Sequence, residues 1–262
     1  MQQSELTTKA KITWCPGCTN SAILVAFRQA IIELTQSGKI KPENIAVFAG
    51  IGCHGKIADY LNLNSFTALH GRLIPTMTGA KCANPNLSII GFSGDGDSYS
   101  EGLEHLIHAA KRNSDINLFT HDNEVFALTT GQADALSPKG FKGKSTPFGS
   151  IEEPFNPLLL LLSAGATFVA RAYAPDIEGT KRIMQAAVEH KGFSYVDIIQ
   201  PCLTFADTRN YFKEKIYWLE ESYQKNDLKA AIDKVQQKEE KILLGVFYEA
   251  EKPTFEEMLH GL

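Results

Sequence analysis

The sequence predicts an α/β fold, a largely parallel sheet with helices on both faces. Three observations carry that expectation. Short β-prone runs alternate with amphipathic helical runs along most of the chain. One stretch, Ser88–Gln132, reads as strand, acidic turn, helix, strand and polar turn. A right-handed βαβ unit of that kind brings both strand ends to one edge of the sheet. Finally, 262 residues with 44% hydrophobic content suit one large α/β domain.

The elements follow in order. Met1–Lys11 is polar, and Trp14-Cys15-Pro16-Gly17-Cys18 forms a loop. Asn20–Ser37 reads as an amphipathic helix through Ile23, Val25, Phe27, Ile31, Ile32 and Leu34, ended by Gly38. Ile45–Ala49 is a buried strand running into Gly50-Ile51-Gly52-Cys53-His54-Gly55-Lys56. Phe66–Leu69 is a short strand that delivers His70-Gly71-Arg72, and Leu73–Ala83 is a helix of small residues. In the central unit, Leu87–Phe92 is a strand, Tyr99–Lys111 a helix and Ile116–Thr120 a strand. Gly131–Ser150 lacks periodicity and is expected to be a long loop, a kind often functional. Pro157–Ala164 is a buried helix and Thr167–Arg171 a strand. Pro175–His190 is a helix with Asp176 as its cap candidate, and Phe193–Ile199 is a strand leading to Pro201-Cys202. Beyond Asp207, Asn210–Lys241 is charged and reads as helical, anchored by Phe212, Ile216, Trp218 and Leu219, and Leu243–Tyr248 is a short apolar piece.

The chemistry concentrates where the central strands end. The βαβ topology sets Asp95 beside Asn123, at the sheet edge where open α/β sheets bind ligands. A carboxylate and an amide are hard oxygen ligands, suited to Mg²⁺ carried on substrate phosphates. Glycines beside Asp95 permit close approach, and the helix that follows presents free N–H groups to an anion. A Gly-Asp turn and an unrelated Asx turn are the ordinary alternative.

Five cysteines without a secretory h-region point to a reducing, cytoplasmic setting in which thiols serve metal or redox chemistry. Cys15, Cys18, Cys53 and Cys202 fall in loops, the right count for a [4Fe–4S] cluster. A structural Zn²⁺ site and a Cys15–Cys18 redox disulfide remain open on spacing alone. Cys82 sits in a helix and reads as an inert thiol. A net charge of −4 without basic blocks gives no reason to expect nucleic acid. No run approaches the ~20 apolar residues of a membrane span.

Taken together, seven motifs resemble the β subunit of 2-oxoacid:ferredoxin oxidoreductases. They are Trp14-Cys15-Pro16-Gly17-Cys18, Gly50-Ile51-Gly52-Cys53, His70-Gly71-Arg72, Gly94-Asp95-Gly96-Asp97, His121-Asp122-Asn123, Leu128-Thr129-Thr130-Gly131-Gln132 and Gln200-Pro201-Cys202. The resemblance spans about Trp14–Phe205, with a looser match beyond. It implies the diphosphate-binding half of a thiamine diphosphate fold over residues 1–207, and a C-terminal helical tail over 208–262 that packs on the domain or on a partner. It implies Mg²⁺ held by Asp95, Asn123 and the Val125 carbonyl, with Gly94, Gly96, Asp97, Ala127 and Leu128 on the diphosphate side. Ile51, Gly52, Cys53, His54 and His70 would line the cofactor, and Cys15, Cys18, Cys53 and Cys202 would ligate the cluster.

The activity implied is oxidation of a 2-oxoacid such as pyruvate or 2-oxoglutarate to acyl-CoA and CO₂. Coenzyme A accepts the acyl group and ferredoxin the electrons. His54, Lys56, His70 and Arg72 are candidates for holding the substrate carboxylate or tuning proton transfers. The aminopyrimidine half, absent from this pattern, implies an α subunit. Two alternatives stand beside this reading, a non-redox thiamine-dependent decarboxylase or synthase half and a non-catalytic electron-transfer subunit. Departures from the family's usual residues fall at three places: Thr19 follows the Cys-Pro-Gly-Cys motif where Gly is common, Phe126-Ala127 replaces Tyr-Gly, and Thr130 lies at a variable position.

Overall fold

The computed structural model describes residues 1–237 and 241–261. In chain order the elements are α1 (Gln3–Leu6), α2 (Asn20–Gln36), β1 (Ile45–Ala49), α3 (Ile57–Tyr60), β2 (Asn64–Thr67), α4 (Leu73–Ala83), β3 (Ser88–Gly94), α5 (Leu103–Arg112) and β4 (Asn117–Asp122). There follow α6 (Pro157–Ala164), β5 (Phe168–Tyr173), α7 (Ile177–Glu189), β6 (Ser194–Ile199), α8 (Arg209–Lys215), β7 (Ile216–Trp218), α9 (Leu228–Gln236), β8 (Ile242–Glu249) and α10 (Phe255–His260). The eight strands form one sheet in the order β2-β1-β3-β4-β6-β5-β8-β7. All neighbours are parallel except β5 and β8.

Strand alternation sorts the apolar side chains into two layers. Ile90 and Phe92 of β3, Phe119 of β4 and Val196 and Ile198 of β6 join α2, α3 and α7 on one face. Ile89, Leu118 and Tyr195, from the same strands, join α4, α5, α6 and α9 on the other. On the first face Phe27 of α2 meets Phe92 edge-on, with ring centroids 4.9 Å apart. Each such buried ring contributes about 1.5–3 kcal/mol through removal from water. The α/β prediction with helices on both faces therefore holds.

The helix and strand expectations hold in most places, and the differences have physical causes. α2 follows the expected apolar spacing, except that Val25 faces outward. The Asp176 side chain caps α7 by accepting from the Gly179 N–H (2.9 Å). The strand expected at Phe66–Leu69 begins at Asn64, because Asn64 to Thr67 register against Ala46 to Ala49 of β1. The helix expected at Tyr99–Lys111 begins only at Leu103. A wide π turn, Gly96–Ser100, precedes it, and the Glu101 N–H reaches the Gly96 carbonyl five residues back. Such turns recur at functional sites, and here the turn carries Asp97 into the pocket wall.

The irregular segment is longer than expected, running from the end of β4 to the start of α6. It folds on itself through paired Gly140–Ser150 and Phe141–Ser150 backbone bonds. Ser137 Oγ donates to the Glu124 carbonyl (2.6 Å) and anchors it beside the site.

The C-terminal segment departs most from expectation. The helical reading of Asn210–Lys241 is replaced, within the described residues, by α8, β7 and α9, and residues 238–240 lie outside those described. Ile216-Tyr217-Trp218 is β-branched and aromatic, and it pairs with Ile242-Leu243-Leu244 rather than continuing a helix. The apolar piece Leu243–Tyr248 lies within β8, which lies antiparallel to β5 and extends the sheet. The helical tail is thus a mixed segment whose strand β8 packs on the domain itself.

Candidate active site

The strand order reverses at β1, which lies between the edge strand β2 and β3. The chain passes from β1 out to β2 and then returns to β3 on the other side. The loops after β1 and β3 therefore open a crevice at the carboxyl ends, where α/β sheets bind ligands. An open cavity of about 430 Å³ lies there. Its wall contains Ile51, Gly52, Cys53, His54 and His70 from the first part of the sheet, and Gly94 to Asp97 from the turn after β3. The polar turn after β4 completes it with Asn123 and Val125 to Thr129.

The predicted meeting of Asp95 and Asn123 is direct. Asp95 Oδ2 accepts from the Asn123 N–H (2.7 Å) and the Glu124 N–H (2.5 Å), and Oδ1 accepts from the Gly96 N–H (2.9 Å). Glu124 has φ of +60°, a left-handed conformation uncommon for a residue with a side chain. The chain reverses there, so Asn123 and Val125 line the same cavity. The Asn123 amide donates through Nδ2 to Gln200 Oε1 (3.2 Å), while its buried Oδ1 has no partner.

Two glycines make the cradle possible. A Cβ on Gly50 would lie 1.8 Å from Asp97 Oδ2, and one on Gly96 would lie 2.2 Å from the Phe126 ring. Asp97 is the hub of the opposite wall. Its Oδ1 accepts from the Gly71 N–H (2.8 Å) and lies 2.9 Å from His70 Nδ1, while Oδ2 accepts from Ser93 Oγ (2.8 Å). His54 is buried, with Nε2 3.8 Å from Asp97 Oδ2 and no hydrogen-bond partner. Burial pushes its pKa down to about 4, against the opposing pull of Asp97, so the ring is neutral at pH 7.

The electrostatics favour a cation. Burial, and then the Asp134 charge, hold the Asp95 carboxyl well above the usual carboxylate range. Glu124 is pushed up to about 7 by burial and then by Asp134 and Asp197. The nearby basic group, Arg171, is committed to Asp197 Oδ2 (2.8 Å). A buried carboxylate with an unpartnered amide oxygen beside it is a donor set that a hard divalent ion satisfies. The residues present fit Mg²⁺ with a diphosphate.

A second cavity, about 700 Å³, adjoins the first. Cys15, Cys18, Cys53 and Cys202 all line it, with Trp14, Lys56, Gln200 and Phe205. Cys53, Asn123, Ala127 and Leu128 belong to both walls. Burial first, and then Cys18 and the other thiols, push Cys53 up to about 11. Cys18 is raised likewise by burial and by its neighbours Cys202 and Cys15. Among the described residues no three His, Cys, Asp or Glu side chains are gathered to hold a single ion. A [4Fe–4S] cluster takes one thiolate per iron, and four thiols around one cavity are a donor set of that chemistry.

The remaining predicted residues fall as follows. Lys56 lines the thiol cavity and donates to the Thr13 carbonyl (3.3 Å). Arg72 is in neither wall; its Nη1 donates to the Gly71 (3.1 Å) and Glu101 (2.9 Å) carbonyls. Cys82 lies on α4, away from the other thiols. The sequence reading missed Ser93, Phe126 and Thr129 as partners or lining residues, and missed Gln200's contact with Asn123. Thr129 and Gln200 both stood inside quoted motifs without being given a role.

This arrangement belongs to a class, the thiamine diphosphate enzymes. Residues 50–198 match the thiamine pyrophosphate enzyme C-terminal binding-domain family. Residues 202–262 match the C-terminal family of the pyruvate ferredoxin oxidoreductase β subunit. The chain belongs to the β subunits of 2-oxoacid:ferredoxin oxidoreductases. It is 39% identical over 264 residues to the 2-oxoacid:ferredoxin oxidoreductase subunit beta of a Sulfolobus species, covering 94% of this chain and 85% of that one. It is 34% identical to the 2-oxoglutarate synthase subunit KorB of Methanocaldococcus jannaschii, covering 95% and 92%. A solved 2-oxoglutarate:ferredoxin oxidoreductase from Magnetococcus marinus, with 2-oxoglutarate, coenzyme A and succinyl-CoA bound, superposes with a TM-score of 0.94 at 32% identity. The match covers 100% of this chain and 89% of that one.

Proposed function

We propose that this chain carries Mg²⁺–thiamine diphosphate and a [4Fe–4S] cluster side by side, and with an α subunit oxidises a 2-oxoacid to acyl-CoA and CO₂ while reducing ferredoxin. The observation that carries this reading is the shared wall: Cys53 lines both the diphosphate cavity and the four-thiol cavity.

Asp95, Asn123 and the Val125 carbonyl would take the metal, and Gly94, Gly96, Asp97, Ala127 and Leu128 would receive the diphosphate side. Bound thiamine diphosphate supplies an electron sink for decarboxylation, and a cluster ligated through Cys53 accepts electrons singly. The chain's own residues orient and insulate. Neutral His54 packs against Gly52 and Gly94, where an added Cβ would meet its ring at 2.6 Å, and so closes the cavity floor. Asp97 fixes His70 through Nδ1, which leaves Nε2 to exchange a proton with substrate. Lys56, in the wall of the thiol cavity, is the cation offered for the substrate carboxylate, whereas Arg72 lies outside both walls and is held by the Gly71 and Glu101 carbonyls.

The test is to express the chain with and without its α subunit, load cofactors anaerobically and follow ferredoxin reduction dependent on 2-oxoglutarate or pyruvate and on coenzyme A. The complex is expected to turn over and the isolated chain to be inactive. Robust ferredoxin reduction by the isolated chain contradicts the need for a partner. An unchanged KM for the 2-oxoacid in Lys56→Met removes Lys56 from carboxylate binding.

A further inference from the structure

The amide of Asn123 can present either its oxygen or its nitrogen to the cavity, and only the oxygen can ligate a cation. Something must choose between them. Gln200 lies just past β6, buried to 2% exposure, and its backbone N–H donates to the Asp122 carbonyl (2.6 Å), the residue before Asn123. Its Oε1 accepts from Asn123 Nδ2 (3.2 Å), which turns the unpartnered Asn123 Oδ1 away from Gln200. The orientation of Gln200 is fixed in turn. Its Nε2 donates to Thr19 Oγ1 (2.8 Å) and to the Pro201 carbonyl (3.3 Å), and lies 4.0 Å from Cys18 Sγ. Thr19 donates to that same Pro201 carbonyl (3.1 Å), so its hydroxyl proton is spent and its oxygen must accept from Gln200. The chain of polarity runs one way, from Thr19 through Gln200 to the face that Asn123 shows.

We propose that Gln200 is a positioning residue that sets the Asn123 amide oxygen toward the cation and ties that setting to the first thiol loop through Thr19. The proposal rests on the Mg²⁺–diphosphate reading of the first cavity. It gives the Gln200-Pro201-Cys202 segment two tasks, one thiol for the second cavity and one amide for the first.

The experiment measures Mg²⁺ affinity by titration into the α–β complex stripped of metal and thiamine diphosphate, with thiamine diphosphate present in excess and protein fluorescence as the readout. Gln200→Met removes the acceptor for Asn123 and is expected to weaken Mg²⁺ about tenfold or more, the usual cost of losing such an outer partner. Gln200→Glu keeps an acceptor for Asn123 Nδ2 and is expected to bind Mg²⁺ at least tenfold more tightly than Gln200→Met. A role in packing alone gives the opposite order, because a buried carboxylate costs more than a methionine. Thr19→Val removes the acceptor that fixes Gln200, along with the Thr19 bond to the Pro201 carbonyl, and is expected to weaken Mg²⁺ a few-fold, with no further loss of Mg²⁺ affinity when added to Gln200→Met. Wild-type affinity in Gln200→Met, or fully additive Thr19 and Gln200 effects, overturns the proposal. A wild-type complex that binds no Mg²⁺–thiamine diphosphate overturns instead the functional reading beneath it.

Discussion

The two adjoining cavities are built by opposite strategies. The diphosphate cavity is finished by the sheet. Its key carboxylate already accepts three backbone N–H bonds from Gly96, Asn123 and Glu124, and Asp97 already holds His70, Gly71 and Ser93. The thiol cavity is assembled from loops that begin far apart in the chain, and its side chains repel one another once ionised. One site is preorganised by hydrogen bonds, and in the proposed function the other would be held together by the cluster its thiols ligate. Perturbing the first is therefore expected to cost one ligand cleanly, and perturbing the second to release a whole cluster.

The sharpest break comes at Asp95. Asp95→Ala removes the buried carboxylate and the acceptor of three N–H groups, and Mg²⁺–thiamine diphosphate affinity is expected to fall at least 100-fold by fluorescence titration. Iron content is expected to stay at the wild-type level. Cys202→Ser is the mirror experiment. Iron and acid-labile sulfide are expected to fall by more than half, while thiamine diphosphate affinity changes less than threefold, since Cys202 lines only the thiol cavity. Cys53→Ser is expected to move both readouts, because that residue alone among the thiols stands in both walls. Gly96→Ala sharpens the comparison at smaller scale. The new methyl meets the Phe126 ring rather than backbone, so the ring shifts into the cavity and cofactor affinity drops about tenfold with iron unchanged.

A control lies at the other end of the sheet. Asn113 has φ of +55° and ties four segments together: its Oδ1 accepts from Thr167 Oγ1 and the Phe193 N–H, and its Nδ2 donates to the Lys252 and Pro253 carbonyls. Asn113→Ala is expected to cost about 2 kcal/mol of stability, read by denaturant unfolding, with neither cofactor affinity altered.

The preorganised cavity was the legible one. Asp95 and Asn123 follow consecutive parallel strands, and right-handed βαβ geometry alone brings them together. On spacing the four loop cysteines were legible only as a count, because nothing in it shows that three loops converge, and only the motif resemblance grouped them. The C-terminal segment misled for a different reason. Its charged surface around α9 has helical periodicity, whereas Ile216-Tyr217-Trp218 becomes a strand only because β8 offers it an edge. The π turn at Gly96–Ser100 was equally hidden, since Asp97's bonds to Gly71, His70 and Ser93 hold it and those partners lie outside the turn.

The central claim is that two different cofactors share the wall at Cys53. It is tested most directly on the anaerobically purified chain by iron and acid-labile sulfide analysis, with visible spectra before and after dithionite. The account predicts about four irons and four sulfides per chain and a broad brown absorption that bleaches on reduction. A colourless chain that takes up neither iron nor sulfide on anaerobic reconstitution would contradict it, leaving a thiamine diphosphate half-site beside four idle thiols.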